Sequence, residues 1–284
     1  MPGPIELFAL GVLAVTVAIA LGRRKEANDA ELRRWIDATG VELTPESRPA
    51  VQRYLLWSRR GRRIGGLVGF VSPWLFSAIS GRTIDEGGWA LSMMLVGYLL
   101  GALVAEVVVN RARETGAVAV VQPRRLIDYL SMRLLTLQRG LGVLALAMIL
   151  PYALLQPDAG IDLPGVGTVA LYGLAGAVIA VVVEVIERRI VARRQSLADI
   201  NDVEIDDAMR ATSINVVAGA GLALLIQFAG PLVAITLAAG IPGEAGGVVA
   251  GVTLALLLLL SLACWINVAH PTRYRVRRRV RSAM

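Results

Sequence analysis

GVVAGVTLALLLLLSLACWINVA, residues 247–269, is an uncharged run of 23 residues, and the stretch that follows, HPTRYRVRRRVRSAM, residues 270–284, carries six arginines. At 1.5 Å per residue such a run, wound as a helix, is longer than the roughly 30 Å hydrocarbon core of a bilayer. The arginines behind it mark where the chain leaves the membrane, because basic residues are retained on the cytoplasmic side during insertion.

Six further stretches read the same way, at residues 4–21, 64–80, 89–109, 140–156, 168–186 and 214–239. Together with 56% hydrophobic residues, more than one soluble core requires, they predict an all-α polytopic membrane bundle of seven transmembrane helices. Residues 1–269 form a single transmembrane domain and residues 270–284 a basic tail. Threading the chain through seven crossings puts 28 of the 29 lysines and arginines on one side and leaves Arg82 alone on the other. The N-terminus is therefore expected outside and the C-terminus inside. A cleaved signal peptide fits the first stretch less well, since Arg23, Arg24 and Lys25 follow the apolar run instead of preceding it.

Topology accounts for the net charge of +7 without nucleic acid. The expected partners are the lipid bilayer, which the tail arginines suit, and a cytoplasmic or membrane protein docking through residues 22–63, 110–139, 187–212 and the tail. No cofactor or metal is expected: Cys264 is the sole cysteine, His270 the sole histidine and Lys25 the sole lysine, and no phosphate-binding glycine loop, nucleophile elbow or paired-histidine zinc motif occurs.

An internal repeat is visible as well. A shift of 78 lays Glu106 on Glu184, Arg111 on Arg189 and Ile127-Asp128 on Ile205-Asp206; it also takes Pro73 to Pro151, and a shift of 80 takes Pro151 to Pro231. The repeat unit is an inward-running helix, a cytoplasmic segment and a proline-bearing return helix, present three times with the seventh span left over. Pro73, Pro151 and Pro231 are the expected helix kinks, since each removes one helical hydrogen bond. Gly97 with Gly101, and Gly247 with Gly251, permit close helix packing inside the bundle.

Glu106 and Glu184 are the acids placed inside these spans apart from Glu6, and an intramembrane carboxylate is a functional candidate by default. Arg188, four residues after Glu184, is placed for an ion pair. Arg111 and Arg189 flank the inner boundary, and Gln227 is a polar residue in mid-helix. Three cytoplasmic segments read as amphipathic helices lying at the interface: one opened by Thr44-Pro45-Glu46 and running toward Trp57, one over 123–139, and one over 202–212.

Arginine in preference to lysine, spans rich in alanine, glycine and valine, and segments such as Ile190-Val-Ala-Arg-Arg and Asp206-Asp-Ala-Met-Arg-Ala-Thr-Ser resemble those of uncharacterised multi-pass proteins from high-GC actinobacteria. The resemblance implies a bacterial inner-membrane location and no known activity. Three functional readings stay open: a membrane subunit of a transport system acting with partner proteins, then a non-catalytic scaffold or regulatory protein, then a membrane-embedded enzyme on a lipid-like substrate. An enzyme is the least supported, because no nucleophile or metal cluster accompanies the acids.

Overall fold

The computed structural model describes residues 29–81, 86–111, 124–155, 164–193, 200–241 and 244–269. All regular structure among them is helical: α1 (Asp29–Thr39), α2 (Arg48–Ser80), α3 (Glu86–Arg111), a 3-10 turn (Leu126–Asp128), α4 (Met132–Ala147), α5 (Ile149–Leu155), α6 (Val166–Ala192), α7 (Ile200–Ala239) and α8 (Glu244–Ala269). Six segments are long and apolar enough to cross a membrane: Arg48–Ser80, Ala90–Arg111, Met132–Leu154, Val166–Ala192, Val203–Ala239 and Ala245–Ala269. The chain is thus a multi-pass membrane protein. The span expected at 4–21 and the basic tail lie outside the described residues.

The described residues divide into two compact units, the first built from those of 29–124 and 190–216, the second from those of 125–189 and 217–269. In the first unit, α2 and α3 cross as a tight hairpin. A Cβ on Gly61 would fall 2.5 Å from Ala105 Cβ, and one on Gly65 would fall 2.7 Å from Gly101 Cα. Only glycine lets the two backbones meet this closely, as the Gly97–Gly101 spacing leads one to expect. Pro73 lies inside α2 without ending it. Ser72 Oγ donates to Gly69 O at 2.8 Å, supplying the carbonyl that Pro73 leaves without its helical donor.

Beyond the hairpin, the same unit has an apolar core of its own. Leu32 and Trp35 of α1 pack with Val51, Tyr54 and Leu55 of α2, Val109 of α3, and Ile205, Ala208 and Met209 of α7. Gly40, at φ 72°, closes α1, its N–H bonding Ile36 O at 2.7 Å. Trp35 Nε1 donates to Thr212 Oγ1 at 3.2 Å, tying α1 to α7.

In the second unit, α4 and α6 meet through small residues. A Cβ on Gly142 would lie 2.6 Å from Ala180 Cβ, and one on Gly176 2.8 Å from Ala145 Cβ. Ala145, Tyr152, Val169, Ala229 and Leu232 form its core. Helix α8 touches α7 along one stripe, where Leu257 meets Gly230 and Ser261 Oγ donates to Ala223 O at 3.0 Å. Its other faces expose Val248, Val252, Leu256, Leu259 and Ile266, an apolar surface suited to lipid.

Four sequence expectations need correction. The helix foreseen from Thr44 opens instead at Arg48 with Pro49 in its first turn, because the Thr44 and Ser47 side chains bond each other and their backbones in a preceding turn. It then runs unbroken to Ser80, so the elbow and the span are one helix. Residues 123–139 are not one helix either: Asp128 Oδ2 accepts from Arg125 N at 2.8 Å and Ser131 Oγ caps Leu134 N, and these local bonds displace helical ones. The segment 202–212 is simply the start of α7, which meets neither proline nor glycine before Gly219. Finally, Gly247 and Gly251 do not pack in the bundle, as no described atom lies within 4 Å of a Cβ added at either.

Candidate functional site

Helix α3 buries one stripe, Leu99, Ala102, Leu103, Glu106, Val109 and Asn110. The acid on that stripe is 0% exposed. Its Oε1 accepts hydrogen bonds from Ser58 Oγ at 2.9 Å and Tyr54 Oη at 3.3 Å, both projecting from α2 one turn apart. Oε2 has no hydrogen-bond partner among the described residues. Asn110, four residues on, leaves the carboxylate alone and donates to the Glu106 backbone carbonyl at 2.7 Å.

Asn110 continues the network across the first unit. Its Nδ2 donates to Ser213 Oγ at 3.3 Å, and Ser213 Oγ donates to Tyr54 Oη at 3.4 Å. On its other side, Arg193 Nη1 donates to Asn110 Oδ1 at 2.8 Å. Arg193 also pairs with Asp206, which accepts from Arg210 Nη2 at 3.0 Å as well; Arg210 Nη1 in turn reaches Val191 O at 3.0 Å. The side chains of Arg193 and Arg210 are 1% and 2% exposed. Burying such charges is tolerated only when they are paired and hydrogen-bonded, and this arrangement provides both. The donors run in one direction, from the Arg193 guanidinium through Asn110, Ser213 and Tyr54 to the Glu106 carboxylate.

The second unit holds its own acids. Glu184 is partly exposed and pairs with Arg139, whose Nη2 and Nε donate at 2.8 and 3.2 Å, and with Arg188. Glu187 is 1% exposed. Its Oε1 accepts from Gln138 Nε2 at 3.2 Å, and its Oε2 has no partner among the described residues. Gln138 Nε2 also donates to Ala218 O at 3.1 Å. Two acceptors on the same atom fix it as the amide nitrogen.

The structure therefore brings Glu184 together with Arg188, and leaves Arg188, Arg189 and Arg111 on the exposed surface. Gln227 sits half-buried on α7, its Nε2 without an acceptor among the described residues. Pro151 falls just beyond the break at Met148 that separates α4 from α5, whereas Pro73 and Pro231 lie within continuous helices. Sequence reasoning missed Glu187, Gln138, Ser58, Tyr54, Arg193, Asp206 and Arg210. For Glu187 a signal existed: Gly176, Val183, Glu187 and Ile190 recur at helical spacing on one buried stripe, and Glu184 lies off it.

Each buried acid thus has one oxygen held by neutral donors and a second, equally buried, without a hydrogen-bond partner among the described residues. Among the described residues no group of three or more His, Cys, Asp or Glu side chains is placed to hold a metal. Comparison with protein-family models, with curated proteins and with solved structures gives no match.

Proposed function

We propose that the chain is a membrane subunit of a transport system acting with partner proteins in a bacterial inner membrane. On this reading it crosses the bilayer seven times, N-terminus outward, and is built from repeated two-helix units. The observation that carries the reading is the pair Glu106 and Glu187: each is fully buried in an apolar helix, and each has one carboxylate oxygen without a hydrogen-bond partner among the described residues. A carboxylate inside a membrane helix costs several kcal/mol by most scales, so one that serves packing alone is readily replaced by an apolar residue.

Two further features support it. A shift of 80 takes Ser58 to Gln138 and a shift of 81 takes Glu106 to Glu187, so each unit holds its acid with a polar side chain from an earlier helix, α2 in the first and α4 in the second. The repeated element on this view is a hairpin led by the proline-bearing helix. Partner docking is favoured by the apolar core of the first unit, which makes the chain around α1 and the start of α2 a folded surface.

The test is ion flux in proteoliposomes loaded with a pH- or cation-sensitive dye. Transport predicts flux that Glu106→Gln or Glu187→Gln abolishes and Glu184→Gln preserves; flux indifferent to both buried acids overturns it. A scaffold without a pathway is the second reading, favoured by the α2–α3 crossing, where glycine backbones fill the interface. It predicts no flux and a partner retained in mild detergent.

A further inference from the structure

Helix α2 carries the basic run Arg59-Arg60-Gly61-Arg62-Arg63, and its members face different ways. Arg59 is neutralised by Glu31 of α1. Arg62 folds back on its own helix, Nε donating to Ser58 O at 3.1 Å. Arg53 and Arg63 are exposed and have no acidic partner among the described residues. Between them stands Trp57, 49% exposed, with the Arg60 guanidinium 6.0 Å from its ring centroid.

The depth of this cluster follows from helix geometry. Trp57, Val68, Leu75 and Ile79 recur at spacings of 11, 7 and 4, so they share one face, and all four are exposed. From Ser80 back to Arg60 the helix rises about 30 Å, the thickness of the hydrocarbon core. With Ser80 at one boundary Arg60 falls at the other, and Trp57 lies one turn beyond it, at the level where interfacial tryptophans sit. Helical side chains lean toward the helix N-terminus, which directs Arg60 and Arg63 out of the hydrocarbon toward Trp57.

We propose that Arg53, Trp57, Arg60 and Arg63 form a binding site for the headgroup of an anionic phospholipid. The phosphate lies against the Arg60 and Arg63 guanidinium groups, while Arg53, about 15 Å from Arg63 along the helix, adds attraction from the headgroup level; the indole ring packs at the glycerol level, and the acyl chains run along Val68, Leu75 and Ile79. Charge complementarity and the unbroken apolar stripe on the same face select a lipid over a soluble anionic protein, which has nothing to place on that stripe. The site is independent of the transport reading.

The test uses the full-length protein in phosphatidylcholine vesicles containing brominated phosphatidylglycerol, or brominated phosphatidylcholine for comparison. Trp57 fluorescence is taken as the difference between the protein and Trp57→Phe. Brominated phosphatidylglycerol is expected to quench at a several-fold lower mole fraction, with Arg53→Gln and Arg63→Gln each weakening the preference about fivefold. Arg188→Gln, exposed on α6, leaves it unchanged. Equal quenching by the two lipids, or a preference that survives Arg53→Gln/Arg63→Gln, overturns the proposal; the former is also the result expected if this face seats a soluble protein. Should Trp57→Phe fail to fold, native mass spectrometry of lipid retained by the protein and by the double arginine variant gives the same decision.

Discussion

Ser58 Oγ donates to Glu106 Oε1 at 2.9 Å across the crossing of α2 and α3, one turn along α2 from the Tyr54 hydroxyl that shares the same acceptor. The bond fixes a buried acid at a crossing that is otherwise lined closely by Gly61, Gly65, Gly69, Gly97 and Gly101.

Removing the donor tests how much that bond contributes. Ser58→Ala is expected to lower stability by about 1–3 kcal/mol, the cost of leaving a buried acceptor short of a partner. Glu106→Ala costs more than Glu106→Gln, since alanine leaves both the Ser58 and Tyr54 hydroxyls without an acceptor while glutamine keeps one. Thermal unfolding in detergent micelles reads the order; a Ser58→Ala protein as stable as the parent removes the contact from the account.

Asp206 balances two buried guanidinium groups, whereas its neighbour Asp207 pairs with the more accessible Arg124 at 2.8 Å. Asp206→Asn is therefore expected to destabilise by about 3–5 kcal/mol, as breaking a buried pair does. Asp207→Asn costs far less. Similar losses for the two variants contradict the geometry.

Glycine substitutions separate the two small-residue pairs. A Cβ at Gly97 would fall 2.7 Å from Gly69 Cα, while one at Gly251 meets nothing within 4 Å. Gly97→Ala is expected to cost about 1–3 kcal/mol through overpacking. Gly251→Ala leaves the unfolding temperature unchanged or slightly raised, because alanine is the better helix former.

The Glu184 cluster is the exposed counterpart of the Glu187 site, with Arg139 and Arg188 both largely in solvent. Arg139→Gln is expected to have a small effect that shrinks further as salt is added, since screening acts on accessible pairs. A large, salt-independent loss indicates that Arg139 acts through buried Glu187 instead.

Sequence periodicity and length located the helices well, because a 20-residue apolar run has few alternatives to a membrane helix. Six of the seven expected spans overlap segments long and apolar enough to cross a membrane. Helix ends were harder to place: Asp202 to Thr212 looked like a polar elbow, yet no residue there breaks a helix, and α7 incorporates it. Glu106 was legible as an isolated acid in an apolar run. Its partners were not, because Tyr54 and Ser58 lie 52 and 48 residues away in a stretch whose polarity suggested solvent. Glu187 was hidden by its position next to Arg188 and Arg189, which read as the end of the span, whereas α6 continues to Ala192.

The most direct test of the membrane architecture is the accessibility of the two ends of α2. In a Cys264→Ser background, Ser80→Cys and Arg53→Cys are each exposed to a membrane-impermeant maleimide, on intact cells and after permeabilisation. With the Ser80 end of α2 outside, Ser80→Cys is expected to react in intact cells and Arg53→Cys only once the membrane is opened. Labelling of both from the same side contradicts this architecture.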